Sequence, residues 1–381
     1  MIIDRILKKD ITKYFWDIPV TAIIGARQVG KSTLAKQIIS NQDNSIYLDL
    51  ETRADLQMLD DPIAFLSNNK SKLICIDEIQ FKPDLFKELR SFIDNNPDTK
   101  FLILGSSSPE LMRQSSENLA GRIFYYELSA FLLPEIKNKI TQETYLLRGG
   151  FPLSCLARND ELAFLWLNNY IKTFLERDLR TFGYNIPPVT LNRLWQMLAH
   201  INGQILNYSL LANSMGLSQP TVKHYIDVLK NTFMIRTLQP YFINIKKRVI
   251  KTPKLFFRDT GVLHALLNIN SYDQLFAHPI FGHSWEAFVI ENIINVFKDW
   301  DHFYYRTAKG NELDLVLQKG NRIIAIEIKS SSTPSVGKGF WRACEDIQST
   351  EQYLIAPVPR PFNMQNNLKV MTLNDFLESF N

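Results

Sequence analysis

The sequence predicts an α/β protein of several domains, and three observations predict it. A short apolar run, "VTAII", leads into Gly25-x-x-x-x-Gly30-Lys31-Ser32 and then into an amphipathic helical pattern, the strand, loop and helix of a phosphate-binding unit. Two further apolar runs, "KLICIDEIQ" and "KFLILGSSSPEL", end in polar groups, as buried strands of an open parallel sheet do where they face its crevice. At 381 residues, the chain exceeds the roughly 250–300 residues that one core serves, so two to four domains are expected.

Composition narrows the class. Hydrophobic residues at 45% and charged residues at 22% exclude a disordered or fibrous chain. A net charge of +4 leaves the question of polyanion binding to local charge. Cys75, Cys155 and Cys344 are scattered, with no CxxC pair, which suits a reducing, cytoplasmic setting. The N-terminal "MIIDRILKKDITKYF" alternates charge with apolar residues and does not read as a signal peptide. No apolar run reaches the ~18 residues of a spanning helix, so no membrane is expected.

The first element is a Walker A loop. Gly25, Ala26, Arg27, Gln28, Val29, Gly30, Lys31, Ser32 and Thr33 form the loop and helix start, where backbone N–H groups and the helix dipole receive a phosphate. Lys31 would reach the β- and γ-phosphates, and Ser32 would ligate Mg²⁺ of bound ATP. The strand ending in Asp77-Glu78 reads as Walker B: Asp77 holds the Mg²⁺ shell and Glu78 polarises the attacking water. Ser106, Ser107 or Ser108 could sense the γ-phosphate, with Ser106 favoured, or cap the helix after Pro109. Arg122 in "ENLAGRIFYYEL" reads either as an arginine finger for a neighbouring subunit's nucleotide or as a surface arginine.

In this order, GARQVGKST, ICIDEIQ, ILGSSS and LAGRI resemble a prokaryotic AAA+ ATPase. With "LLRGGFP", "YIKTFLERDL" and "LFFRDTGV", essentially the whole chain is similar to the family that joins this ATPase to a C-terminal PD-(D/E)XK nuclease-like domain. The resemblance, which extends to ring-forming ATPases, implies a homo-oligomer. It also matches Arg177 and Asp178 to a family motif, with no role beyond a possible salt bridge. The implied fold is a P-loop AAA+ parallel-sheet domain (1–128), a helical lid (129–186), a winged-helix-like domain (187–262) and a C-terminal α/β restriction-endonuclease-like domain (263–381).

Within the middle region, "NYSLLANSMGLSQPTVKHYIDVLKN" has a helix stopping near Gly216, Ser218 as a cap and Pro220 in the next first turn, a helix-turn-helix pattern. Gln219, Thr221, Lys223 and His224 would face bases, and Lys230 a phosphate. From Val222 to Arg258 nine Lys or Arg (Lys223, Lys230, Arg236, Lys246, Lys247, Arg248, Lys251, Lys254, Arg258) stand against the single acid Asp227, so DNA is the expected partner. A packing or protein-binding module is the alternative.

The last motif is "NELDLVLQKGNRIIAIEIKSS". Asp314 ends a pattern in which Leu313 replaces the usual proline, and strand alternation puts Glu327 and Lys329 on one face. Two carboxylates holding Mg²⁺ beside a scissile phosphate, with a lysine to orient water, is nuclease chemistry. Glu286 on the preceding helix matches the additional acidic ligand that the resemblance to the nuclease fold implies. A non-cutting regulatory switch that binds DNA or protein is the competing expectation.

Overall fold

The computed structural model describes residues 2–40, 42–105, 117–242 and 250–380. The sensor candidates Ser106, Ser107 and Ser108 lie outside the described residues, as do Lys246, Lys247 and Arg248 of the basic run. The chain folds as two units. One comprises residues 1–131 with 179–184 and 231–233; the other comprises 132–178, 185–230 and 234–381.

The first unit is built on a parallel sheet in the order β2-β3-β4-β1-β5, from β1 (Val20–Ile24), β2 (Ser45–Asp49), β3 (Leu73–Asp77), β4 (Lys100–Gly105) and β5 (Ile123–Glu127). Its central strands are continuous apolar runs because a parallel sheet is covered on both faces, and every residue of β3 is buried. Ile74, Ile76, Phe101 and Ile103 pack against Phe86, Leu89 and Ile93 of helix α1 (Leu85–Asn95). The strands run in register, Val20 beside Phe101 and Ile123, and Leu73 beside Lys100. Ile24, Asp77 and Gly105 therefore end at one edge, where the loop before helix α2 (Lys31–Ile39) also lies.

The second unit carries an eight-stranded mixed sheet in the order β12-β13-β11-β10-β9-β8-β6-β7. These are β6 (Ile235–Pro240), β7 (Lys254–Phe257), β8 (Asp301–Arg306), β9 (Glu312–Lys319), β10 (Arg322–Ile328), β11 (Glu351–Ile355), β12 (Phe362–Asn363) and β13 (Lys369–Met371). β9 and β10 form the antiparallel hairpin read from the sequence, with Leu315 opposite Ile326. β6 pairs with β7 on one side and β8 on the other, so the segments expected as separate domains at 187–262 and 263–381 share one sheet. Helix α3 (Phe281–Val296) is almost wholly buried, which its nearly all-round apolar sequence requires.

The helices expected as an ATPase lid belong to this second unit as far as Asp178, while residues 179–184 fall in the first. The reason is a joint between the two signature stretches that carried no mechanism in the sequence. In "RGGFP", Gly149 (φ 72°) ends helix α4 (Gln142–Arg148), and the Gly150 N–H donates to Asp259 of "FRDTG" at 2.7 Å. Asp259 also caps helix α5 (Thr260–Leu266) by accepting from the Val262 N–H at 2.9 Å. A Cβ on Gly149 would lie 2.2 Å from Asp259 Oδ1, and one on Gly261 2.2 Å from the Arg148 carbonyl. Glycine is demanded at both positions by close approach. His264 of α5 bonds the Leu147 carbonyl at 2.9 Å and Ser284 of α3 at 2.7 Å. Arg177 is exposed and Asp178 buried at the π-helical turn Phe174–Asp178.

Helices α6 (Pro188–His200), α7 (Tyr208–Met215) and α8 (Gln219–Asn231) precede the β6–β7 hairpin. Gly216 ends α7 at φ 64°, and Ser218 accepts from the Thr221 N–H at 3.2 Å, as read from the sequence.

Candidate functional site: a nucleotide loop and an acidic cluster

The nucleotide loop leaves β1 and turns into α2 with little room for side chains. A Cβ on Gly25 would come within 2.3 Å of the Leu128 carbonyl, and Gly30 at φ 98° is the N-cap of α2. Lys31 is 6% exposed and donates to the Gly25 and Ala26 carbonyls at 3.1 and 2.9 Å. Burial pulls its pKa down against the pull of Glu78 and Asp77. Arg27 pairs with Glu51 at 3.0 Å, Gln28 and Thr33 are exposed, and Ala26 and Val29 are buried. Lys31, Ser32, Asp77 and Glu78 thus meet at the sheet edge.

Three features of this site were not legible. Tyr47 of β2 donates to Asp77 Oδ2 at 2.5 Å, and Ser32 also neighbours its hydroxyl, so both expected Mg²⁺ ligands lie beside Tyr47. This donor set suits a hard cation that keeps water in its shell. Burial raises the Tyr47 pKa, with the Asp77 hydrogen bond adding to it. Arg5 reaches across to the Val29 carbonyl at 2.9 Å and to the Ser129 and Ala130 carbonyls at 2.6 and 3.1 Å, tying the loop to the chain after β5. Glu78 sits in the left-handed region at φ 54°, ψ 47°, an unusual place for a non-glycine residue, with Gln80 donating to its carboxylate. Burial raises the Glu78 pKa, against Lys31.

Arg122 lies elsewhere. Its carbonyl accepts from Val20 N–H at the start of β1, so it stands about 16 Å, five residues of strand, from the loop that follows Ile24. Its guanidinium holds the Asp94 carboxylate with bonds of 2.6 and 2.9 Å. It cannot serve the nucleotide of its own chain.

In the second unit, Glu286, Asp314, Glu327 and Lys329 converge. Lys329 donates to Glu327 at 2.6 Å, and Asp314 accepts from the Ile328 N–H at 2.8 Å. Lys254 of β7, read in the sequence as part of a phosphate-binding run, lies 3.2 Å from Glu286, 2.7 Å from Glu312 and 3.9 Å from Asp314, with its side chain 4% exposed. Among the described residues no group of three or more His, Cys, Asp or Glu is arranged to hold a metal ion. The Lys254 ammonium thus stands beside two members of the expected metal set, Glu286 and Asp314. Burial, reinforced by Glu327 and Glu286, raises the Asp314 pKa well above the usual carboxylate range. For Lys254, burial pulls the pKa down, but Glu286, Asp314 and Glu312 together hold it raised.

The basic run changes as well. Arg236 and Arg258 pair with Glu291, and Lys254 is buried. Lys223, Lys230 and Lys251 remain exposed among the described residues of the run, as are Gln219 and His224, with Thr221 half-buried.

Residues 17–137 match a family model described as an AAA domain, 140–273 one described as a domain of unknown function (DUF8612) and 281–376 another (DUF4143). The uncharacterized protein Rv2008c of Mycobacterium tuberculosis is 38% identical over 360 residues, covering 94% of this chain and 81% of that protein. The chain belongs to the family of this mycobacterial protein. The Mycobacterium bovis protein Mb2031c, also uncharacterized, gives the same figures, and an uncharacterized Haemophilus influenzae protein is 25% identical over 274 residues, 64% of this chain and 68% of its own. The family's first part is a P-loop ATPase domain. Its middle model spans what the sequence divides into lid and winged helix. Among solved structures, the Walker-type ATPase PABY2304 of Pyrococcus abyssi aligns over 70% of this chain and 96% of its own with 17% identity and a TM-score of 0.49. No helix among the described residues is long and apolar enough to cross a membrane.

Proposed function

We propose that the chain is an ATP-hydrolysing switch that engages duplex DNA through its second unit. The observation that carries the first half is the meeting of buried Lys31 with Ser32, Asp77 and Glu78 at one sheet edge. Lys31 counters phosphate charge, the loop N–H groups orient the phosphates, and Glu78 takes up the proton side of water attack. Mg²⁺, held through Ser32 and Asp77, supplies further neutralisation of the phosphate charge when bound. Copies of the chain assemble, as the resemblance to ring-forming ATPases implies, and Arg122 is the group that a neighbour's nucleotide meets.

The order of three helices followed by the β6–β7 hairpin supports a winged-helix reading, with Gln219, Lys223 and His224 on the exposed face of α8 and Lys230 at its end. A second reading, metal-dependent cleavage of that DNA, is favoured by one observation, the meeting of Asp314, Glu327 and Lys329 at the end of the β9–β10 hairpin. Nicking of supercoiled DNA in Mg²⁺ or Mn²⁺ that disappears in Asp314→Ala is its signature, and intact DNA in both metals sets it aside.

The test of the preferred reading has two arms. Lys31→Ala and Glu78→Gln should each abolish ATP turnover; unchanged turnover in either contradicts the assignment. Duplex affinity, read by fluorescence anisotropy, should fall steeply with salt, and Lys223→Ala with Lys230→Ala should flatten that slope by about 0.9 for each phosphate no longer neutralised. Absent or salt-independent binding removes DNA from the reading.

A further inference from the structure

The acidic cluster of the second unit contains a cation that belongs to the chain. We propose that the Lys254 ammonium is the resident counter-ion of Glu286, Glu312 and Asp314, filling the place of a divalent ion, so that this cluster is a charge knot and not a metal centre. The inference is independent of the ATP and DNA readings, and bears on the cleavage reading alone.

Four observations carry it. The Lys254 ammonium lies 2.7 Å from Glu312, 3.2 Å from Glu286 and 3.9 Å from Asp314, while Mg²⁺ or Ca²⁺ shared by such carboxylates would sit about 2.0–2.6 Å from their oxygens. The ammonium already holds the space between Glu286 and Glu312, and a second cation drawn in by these carboxylates would meet its charge at close range. The lysine is also fixed at its root, because Lys254 pairs with Leu238 in β6 and bridges Ile205 on its other side. Its ammonium lies 5.6 Å from the centre of the Tyr304 ring, whose hydroxyl holds the Thr252 carbonyl.

The remaining acids and bases are engaged in turn. His283 stands 3.4 Å from Glu286, Arg306 3.5 Å from Glu312, and Lys329 is bonded to Glu327. Removal of Lys254 would leave Glu286, Glu312, Asp314 and Glu327 facing one another with only rim cations. A buried set of carboxylates left in this way takes up protons or a metal.

The experiment is Mn²⁺ titration of the nucleotide-free full chain at pH 7.5, followed by electron paramagnetic resonance. Wild type and Asp314→Asn should bind Mn²⁺ indistinguishably, since neither offers the cluster. Lys254→Met should gain one site at least about tenfold tighter, a removal of competing charge worth one factor of ten or more, and Lys254→Met with Asp314→Asn should lose it again. A stoichiometric site in the wild type that vanishes in Asp314→Asn overturns the proposal, as does a folded Lys254→Met protein that gains nothing. If Lys254→Met does not fold, the wild-type and Asp314→Asn pair decides alone: equal titrations support the knot, and a site lost with Asp314 refutes it.

Discussion

Asp94 parks the Arg122 guanidinium on the sheet edge opposite the nucleotide loop, and a finger for a neighbour has to be drawn from that pairing. Arg122→Ala should therefore lower ATP turnover by about a thousandfold, while Asp94→Ala leaves it within about threefold because the guanidinium survives. Mixing the Arg122→Ala and Lys31→Ala proteins should restore part of the turnover, since each supplies what the other lacks across an interface. Full activity of Arg122→Ala alone would make the residue structural. At this scale the sequence was most legible where chemistry demands a fixed spacing, as in Gly25 to Ser32 and Asp77-Glu78. It was least legible where a partner comes from a distant strand. Nothing near Tyr47 announces Asp77 as its acceptor, and Lys254 looked like one more member of a basic run. The available hint was that Lys254 opens a strand whose other residues, Leu255, Phe256 and Phe257, are all buried and apolar.

The joint between α4 and α5 sets a pH response at the scale of elements. Burial holds the Asp259 pKa up at about 6, against four backbone N–H groups that favour its charged form. Burial also holds His264 down at about 4, with the Leu147 carbonyl opposing and His278 assisting. For His264 the folded value lies below the ordinary 6.5, so its stability is present above that pH and lost as pH falls toward 4. For Asp259 the folded value lies above the ordinary 3.8, so its contribution is present below that pH and lost as pH rises through 6. Each difference is worth about 3 kcal/mol, and the two oppose across the same acidic window. Urea unfolding of His264→Gln should expose this: its stability deficit relative to wild type should shrink by about 3 kcal/mol between pH 7.5 and pH 4. A constant deficit would show that His264 does not titrate in that range. Periodicity and caps made the elements themselves readable, including the Ser218 cap and the β9–β10 hairpin. Their partners were not, because an eight-stranded order that places β6 between β7 and β8 is decided by pairings far apart in sequence.

Consecutive domains were the natural reading of a chain with a Walker loop at one end and a charged hairpin at the other, yet the units interleave along the sequence. The first unit includes 179–184 and 231–233, so a fragment ending at residue 131 is not the whole of it. Trp16 is the one tryptophan of residues 1–131 and reports on that unit. In urea, the fragment should unfold at a lower midpoint than a full chain in which the other tryptophans are changed to phenylalanine; equal midpoints would make the later stretches dispensable. The joint adds a constraint in time. Gly150 and Asp259 are 109 residues apart, and a ribosome adding about 5–20 residues per second needs roughly 5–20 s to span that gap. Throughout that interval the Gly150 amide has been made and its acceptor has not, so the second unit reaches its final form only late in synthesis, while the Walker loop has long since emerged.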